Sequence, residues 1–151
     1  MLGILHNRGV EIRSAAANEL DAATLYRILA LRSAVFVVEQ DCVYLDPDGR
    51  DLEPSAVQVW AERDGEVVAT LRVLDEPNGA ARIGRVATAP DERGAGLAGQ
   101  LLRHALTMVD GRPVELHAQS HLAQWYETFG FVRDGADYLD DGIPHTPMRL
   151  A

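Results

Sequence analysis

The chain has 151 residues, 47% of them hydrophobic and 25% charged, with a net charge of −9. That size buries one good core, so the whole chain, 1–151, reads as a single globular domain. The acid excess leaves no basic footprint for nucleic acid, no apolar run nears the roughly 18 residues of a membrane span, and the start, Met1 to Leu5, lacks the basic and apolar stretches of a secretion leader; a cytoplasmic protein is expected.

Residues 10–14 alternate weakly and fit a first strand at a sheet edge. From Leu20 the pattern turns helical, with Leu25, Ile28, Leu29, Arg32, Val35 and Phe36 recurring at three- and four-residue steps. Asp21 can cap that helix, which should end near Gln40. An acidic loop, 41–54, follows and holds Cys42, the only cysteine. It excludes an intramolecular disulfide and fits a small buried apolar residue better than a nucleophile. Val57-x-Val59-x-Ala61 and Val67-x-Ala69-x-Leu71-x-Val73 are period-two strands joined by Asp64-Gly65, a two-residue hairpin turn. Asn78-Gly79 turns the chain into a further strand, 81–88, which completes a three-stranded antiparallel meander.

Next comes Arg93-Gly94-Ala95-Gly96-Leu97-Ala98, a small-residue turn opening directly into an amphipathic helix. Leu97, Leu101, Ala105 and Met108 form its expected buried stripe, and Asp110-Gly111 closes it. A strand at 114–118, a short helix bearing Trp125 and Tyr126, and strands near 131–133 and 145–150 finish the chain. The sum is a mixed α/β sheet of about seven strands with three or four helices on both faces.

The turn carries the chemistry. The first N–H groups of a helix have no intrahelical partner, and the helix dipole favours negative charge there. Glycine and alanine let a phosphate approach closely. Gly94-x-Gly96-x-x-Gly99 also matches the dinucleotide fingerprint, which wants an acidic residue about twenty positions on, at the end of the next strand. That strand ends in Gln119 and Ser120, and Asp110 and Glu115 are misplaced, so an NAD-binding oxidoreductase is a remote alternative. A P-loop is excluded because no Gly-Lys-Ser/Thr follows.

The same residues read as Arg93-x-x-Gly96-x-Ala98, a form that resembles the acyl-coenzyme A signature of the GNAT N-acetyltransferase superfamily. Downstream, Val114-Glu115-Leu116-His117-Ala118, the helix with Tyr126, and Phe129-Gly130-Phe131 resemble that family's second motif at the expected separation. Val35-Phe36-Val37-Val38-Glu39-Gln40, Asp48-Gly49-Arg50-Asp51, Ile83-Gly84-Arg85-Val86, Ala118-Gln119-x-His121-Leu122 and Asp141-Gly142-Ile143-Pro144-His145 are similar to the ElaA-like branch. The likeness runs from about Leu20 to Met148.

The resemblance implies that the strands ending at Thr88 and Ala118 splay apart and admit acetyl-CoA. Arg93, Gly94, Ala95, Gly96, Leu97 and Ala98 would take the pyrophosphate. Val86, Ala87 and Thr88 would pair with the amide-rich pantetheine arm like an added strand. Gln119 stands where many relatives carry Asn, so an amide is kept. The reaction implied is attack by a neutral amine on a thioester. Tyr126, a phenol with an ordinary pKa of about 10, is the candidate general acid, its alternative being a core aromatic. A protonated amine of pKa about 10.4 must first lose a proton. Glu39 and His117 are the candidate bases, with a water relay as the third route.

Asp140, Asp141 and His145 lie in a C-terminal loop expected to face the acidic loop 46–53 across the substrate mouth. There they would attract a cationic acceptor or serve only as turn chemistry. No metal is expected, since no His/Cys/Asp group has ligand spacing. The acceptor is an amine on a small molecule or peptide, and a homodimer is an open possibility. A non-catalytic acyl-CoA sensor is the main alternative to an enzyme.

Overall fold

The computed structural model describes residues 9–151. The expectation drawn from Met1 to Leu5 falls outside them. β1 (Val10–Ala16), β2 (Val57–Arg63), β3 (Glu66–Asp75) and β4 (Ala81–Thr88) pair antiparallel in succession. β5 (Val114–Gln119) joins β4 in parallel, and β8 (Ile143–Leu150) lies antiparallel to β5. Two short strands, β6 (Val132–Arg133) and β7 (Tyr138–Asp140), pair with β8 and complete an eight-stranded sheet.

Eight strands, not seven, reflect a hairpin the alternation pattern did not reveal. Asp141 and Gly142 both hold positive φ (49° and 76°) and fold β7 back onto β8. That is the turn geometry which keeps the right-handed twist of a tight hairpin. Asp64 and Gly65 (52° and 78°) do the same between β2 and β3, as their sequence predicts.

Among the described residues three α-helices cover the sheet. α1 (Ala22–Arg32) starts where the Asp21 carboxylate accepts the Thr24 N–H at 2.7 Å. Its helical pattern continues beyond Arg32, but residues Ser33–Glu39 widen into a π-helical coil that ends on the Gln40 N–H bonded to Val35 O. A π turn of this kind re-aims the side chains that follow it; here those are Glu39 and Gln40. α2 (Leu97–Met108) buries Leu97, Leu101, Leu102 and Ala105. Met108 was expected in that stripe and instead is 42% exposed. The helix ends on it, and Val109, turning inward as the helix closes, fills the position. α3 (Ala123–Glu127) is a five-residue helix.

Two apolar cores result. One lies beneath α2 and gathers Val59, Leu71, Ile83, Leu101, Leu116, Tyr126 and Phe131 among others. The other lies beneath α1 and holds Ile28, Val35, Phe36, Trp60 and Ala87. Burying each Leu or Phe contributes about 1.5–3 kcal/mol, which fixes the two faces of the sheet firmly.

β4 touches both cores in an irregular way. Ala81 and Ile83 face the α2 core, yet Ala87 faces the α1 core, although residues 83 and 87 share a face in any regular strand. The pairing of β3 with β4 explains it: Thr70 opposes Ala87 and Arg72 opposes Gly84, so two residues, Arg85 and Val86, stand against Leu71. This is a β-bulge, and it flips the remainder of the strand.

Candidate active site

β4 and β5 pair only at Ala81 with Val114 and Arg82 with Glu115. Beyond these residues they separate, and a cleft of about 930 Å³ opens between them. Residues 84–88 of β4 form one wall, Leu116, His117 and Gln119 of β5 the other, and α3 contributes Trp125 and Tyr126. The edge of β4 that faces the cleft has lost its strand partner. Unpaired N–H and C=O groups in a row are a template for an extended, amide-bearing ligand. The volume suits a small-molecule or cofactor site.

Past Thr88 the chain passes a single turn, Pro90–Glu92, and reaches the glycines that open α2. Gly94 and Gly96 hold φ of 87° and 78°, the left-handed region that disfavours side chains. A Cβ placed on either would meet nothing within 4 Å, so the glycines leave open space rather than fill a packed contact. Gly96 caps α2 without any side-chain hydrogen bond, which leaves the helix's first N–H groups for a ligand. The residues present therefore fit a phosphorylated cofactor, and Arg93 adds a cation beside them.

Arg93 is already engaged. Its Nη1 and Nη2 donate to the Glu39 carboxylate at 2.6 and 2.7 Å, and its Nε donates to Thr88 O at 3.1 Å. The adjacent Gln40 Oε1 accepts from Gln119 Nε2 at 3.1 Å, so the end of the π-helical coil reaches both walls of the cleft. The Arg93 hydrogen bonds hold the Glu39 carboxyl below the usual carboxylate range. A carboxylate so stabilised is a weak proton acceptor.

Tyr126 is 5% exposed, and burial pushes its phenol up to about 12. The ring is gripped edge-on by Trp125 (4.9 Å) and Phe131 (6.0 Å). Among the described residues its hydroxyl has no hydrogen-bond partner, while the residue lines the cleft. A phenol in this setting stays protonated at neutral pH and keeps its O–H for something that enters.

His117, across the cleft, is hydrogen-bonded through Nδ1 to the Tyr138 hydroxyl. Tyr138 in turn stacks on His145, centroids 5.7 Å apart, and His145 Nδ1 donates to Ile143 O at 2.8 Å. Burial, followed by the nearby Arg82 cation, lowers the His117 pKa, so the ring is neutral at physiological pH. Tyr138 is a further residue of this wall, absent from the candidates that the sequence motifs supply. Counting back from the Asp141-Gly142 turn would have found it, since a two-residue hairpin puts Tyr138 opposite His145.

Asp140 and Asp141 line the mouth and help raise the Cys42 thiol, although burial contributes most to that shift. Cys42 is buried, as its residue type suggests. The facing loop differs from the acidic wall expected of residues 46–53. Asp46 and Asp51 are buried against Arg32, at 2.8 and 2.7 Å, and Asp48 is clasped by both terminal nitrogens of Arg72. Arginines spaced far away in sequence neutralise that acidity, so Asp140 and Asp141 carry the open negative charge of the mouth. Among the described residues no group of three or more His, Cys, Asp or Glu is arranged to hold a metal, and no helix is long and apolar enough to cross a membrane.

Both the sequence and the fold have counterparts among known proteins. Residues 44–151 match the model of the acetyltransferase (GNAT) domain. A UPF0039 protein of Mycobacterium tuberculosis is 48% identical over 141 residues, covering 91% of this chain and 90% of that one. The chain belongs to the GNAT acetyltransferase family. The crystal structure of an acyl-CoA N-acyltransferase from Pseudomonas aeruginosa superposes with a TM-score of 0.91 at 40% identity, over 94% of this chain and 99% of that one. The crystal structure of Escherichia coli ElaA gives 0.89 at 36% identity, over 94% and 99%. This GNAT protein is thus a transferase with the fold of the acyl-CoA N-acyltransferases, and the family's chemistry is acyl transfer from acyl-CoA to an amine.

Proposed function

We propose that this GNAT protein transfers an acetyl group from acetyl-CoA directly to the amine of a small molecule or peptide, with both substrates held in the cleft at once. The observation that carries this reading is the unpaired edge of β4 running straight into the glycine turn at α2, with the protonated Tyr126 beside it. The cofactor supplies an acyl carbonyl activated by a thiol leaving group. Residues Gly94, Ala95, Gly96, Leu97 and Ala98 bind the pyrophosphate through backbone N–H groups, and Arg93 adds two charge-assisted hydrogen bonds once it leaves Glu39. Val86, Ala87 and Thr88 pair with the pantetheine amides, and the Gln119 amide completes that wall.

The acceptor enters past Asp140, Asp141 and His145, where open negative charge raises the encounter rate of a cation. His117, neutral and oriented by Tyr138, takes the proton that the ammonium must lose. Glu39, held by Arg93, is the weaker candidate for that step. Tyr126 serves as hydrogen-bond donor to the sulfur as its charge develops. The C–N bond would form as the C–S bond breaks, and the second proton of the attacking nitrogen would reach the departing thiolate through the Tyr126 O–H, the general acid, whose high pKa of about 12 restores the phenol at once. In this reading the chain 1–151 is one catalytic domain working in the cytoplasm.

Thermal melts with acetyl-CoA, and with NAD in parallel, test the cofactor. At a hundred times Kd, linkage gives roughly 2.7 kcal/mol, a rise of about 5–11 °C for a domain of this size. A flat response, or a rise with NAD instead, overturns the assignment. Thiol release with a panel of amines then tests turnover. In Tyr126→Phe, kcat should fall by about a hundredfold or more with cofactor binding kept. An unchanged kcat removes Tyr126 from the chemistry, and thermal stabilisation without turnover of any amine favours a sensor.

A further inference from the structure

Four described non-glycine residues hold positive φ. Asp41, Asp64 and Asp141 lie in loops or turns, where aspartate is tolerated. Arg85 (φ 52°) lies inside a strand. The left-handed region is unfavourable for an ordinary residue and persists only where the surroundings over-determine it. Gly84 sits one position earlier and could absorb such a conformation freely, so something other than convenience keeps an arginine at the bulge.

Its side chain shows what does. Arg85 Nε faces Asp46 Oδ1 at 2.9 Å, a charge contact lying off the hydrogen-bond axis of both atoms. Arg85 Nη2 donates to Asp46 O at 3.2 Å and approaches Asp48 Oδ2 at 3.5 Å, and the guanidinium lies 5.5 Å from the Tyr44 ring centre. Asp46 is itself immobilised: it is 2% exposed, its Oδ2 accepts from Arg32 Nε at 2.8 Å, and Arg32 is fully buried at the end of α1. Asp48 is fixed by Arg72, which stands directly opposite Gly84 on β3. The bulge is therefore gripped from α1, from the loop and from β3.

We propose that Asp46 is a positioning residue for acyl transfer: through Arg85 it locks the β4 bulge and so fixes which backbone groups of residues 86–88 face the cleft. The bulge is what turns Ala87 from one core to the other. Were it to slip by one residue, the N–H and C=O groups would exchange sides between β3 and the cleft. Asp46 does not line the cleft, so it acts only through Arg85. This inference rests on the cofactor docking along β4 as described above.

Arg85→Gly tests it. Glycine keeps the left-handed backbone without cost, and the buried Asp46–Arg32 pair stays intact, so the variant should melt within a few degrees of the wild type. Hydrogen exchange of the residue 86–88 amides in the free protein should quicken tenfold or more, with α2 and β5 unchanged. The carbonyl stretch of bound 13C-labelled acetyl-CoA should broaden and move toward its position in water. Arg85→Lys, which keeps the charge but not the fork, should recover part of both effects. Asp46→Asn should shift both readouts in the same direction, and adding it to Arg85→Gly should change them no further; if Asp46→Asn does not fold, the two Arg85 variants decide. Unaltered exchange and carbonyl band in Arg85→Gly, or additive effects of the two positions, overturn the proposal. If wild-type protein does not bind acetyl-CoA, the functional reading fails, whereas the exchange experiment still reports on the lock.

Discussion

Arg32 and Arg93 each clasp carboxylate oxygens with hydrogen bonds of 2.6–2.8 Å, and both bind the end of α1 and its continuation to another part of the chain. Their surroundings differ. Arg32 is fully buried, and its partners Asp46 and Asp51 are nearly so. The Arg93 and Glu39 side chains are 42% and 39% exposed. Burial makes the first cluster all-or-nothing, because any charge left there without its partner has no water to turn to. Exposure makes the second exchangeable, since water can replace either member, and an anion such as phosphate the carboxylate, at little cost. The same two functional groups thus hold a fold in one place and, in the proposed reading, receive a ligand in another.

The widest gap between the two should appear on deleting the cation. Arg32→Ala strands Asp46 and Asp51 in the interior and should cost about 3–5 kcal/mol, read as the shift in denaturation midpoint at unchanged slope. A loss below 1 kcal/mol would mean that water reaches the cluster and solvates the stranded carboxylates. Molar salt should leave this cluster untouched while weakening the Glu39–Arg93 contact.

Acid should separate the regions next. Hydrogen bonds from Arg72 hold the Asp48 carboxyl well below the usual carboxylate range. For Asp51, burial pushes upward, but the Arg32 hydrogen bond together with the Arg32 and Arg72 charges outweighs it and leaves the pKa lowered. A carboxylate depressed on folding lends stability that is complete above its unfolded value, near 3.9, and is lost as pH falls through the folded one. Melting temperature should therefore drop steeply below about pH 4, and Asp48→Asn should flatten part of that fall. An identical acid limb in the variant would detach Asp48 from the effect.

Arg93→Ala brings a smaller loss, and on the ligand side. If Arg93 gives the phosphate two charged hydrogen bonds, as proposed, their removal should weaken acetyl-CoA binding by about ten- to a hundredfold with the fold intact. Calorimetry of acetyl-CoA binding would measure it, and an unchanged Kd would move the pyrophosphate elsewhere.

What could be read from the sequence divides along the same line. Period-two strands, the Asp64-Gly65 turn, the Asp21 cap and the glycine turn before Leu97 are local signals, each decided by residues a few positions apart, and the fold they imply is the one found. The cluster beneath α1 is different. Its members, Arg32, Asp46, Asp51 and Arg72, are dispersed over forty positions, and in a linear reading the aspartates looked like an open acidic lip. Only the approach of β3 to the loop shows that arginines neutralise them. The bulge at Arg85 was equally hidden, because residues 81–88 read as one unbroken strand and nothing in Gly84-Arg85-Val86 announces a reversal of faces. The ring contact of Tyr138 with His145 needed the β7–β8 register, which one turn signal implied but alternation alone did not.

The smallest expected effect is the most specific to the exposed pair. Arg93 lies with both terminal nitrogens on Glu39, so in the proposed reading an incoming pyrophosphate would displace a carboxylate before it gained the guanidinium. That exchange subtracts from affinity whatever the Glu39 contact is worth, and it leaves a freed carboxylate near the phosphates. Glu39→Gln removes the competition and the repulsion together while keeping the side chain's shape. Acetyl-CoA should bind a few times more tightly to the variant, and the melting temperature without ligand should hold, as expected of a solvent-exposed pair. The gain should shrink in molar salt, where the wild-type contact is already screened. Weaker binding in Glu39→Gln would give Glu39 the opposite role, a support that aims Arg93 at the phosphates, and the two clusters would then differ only in burial and not in purpose.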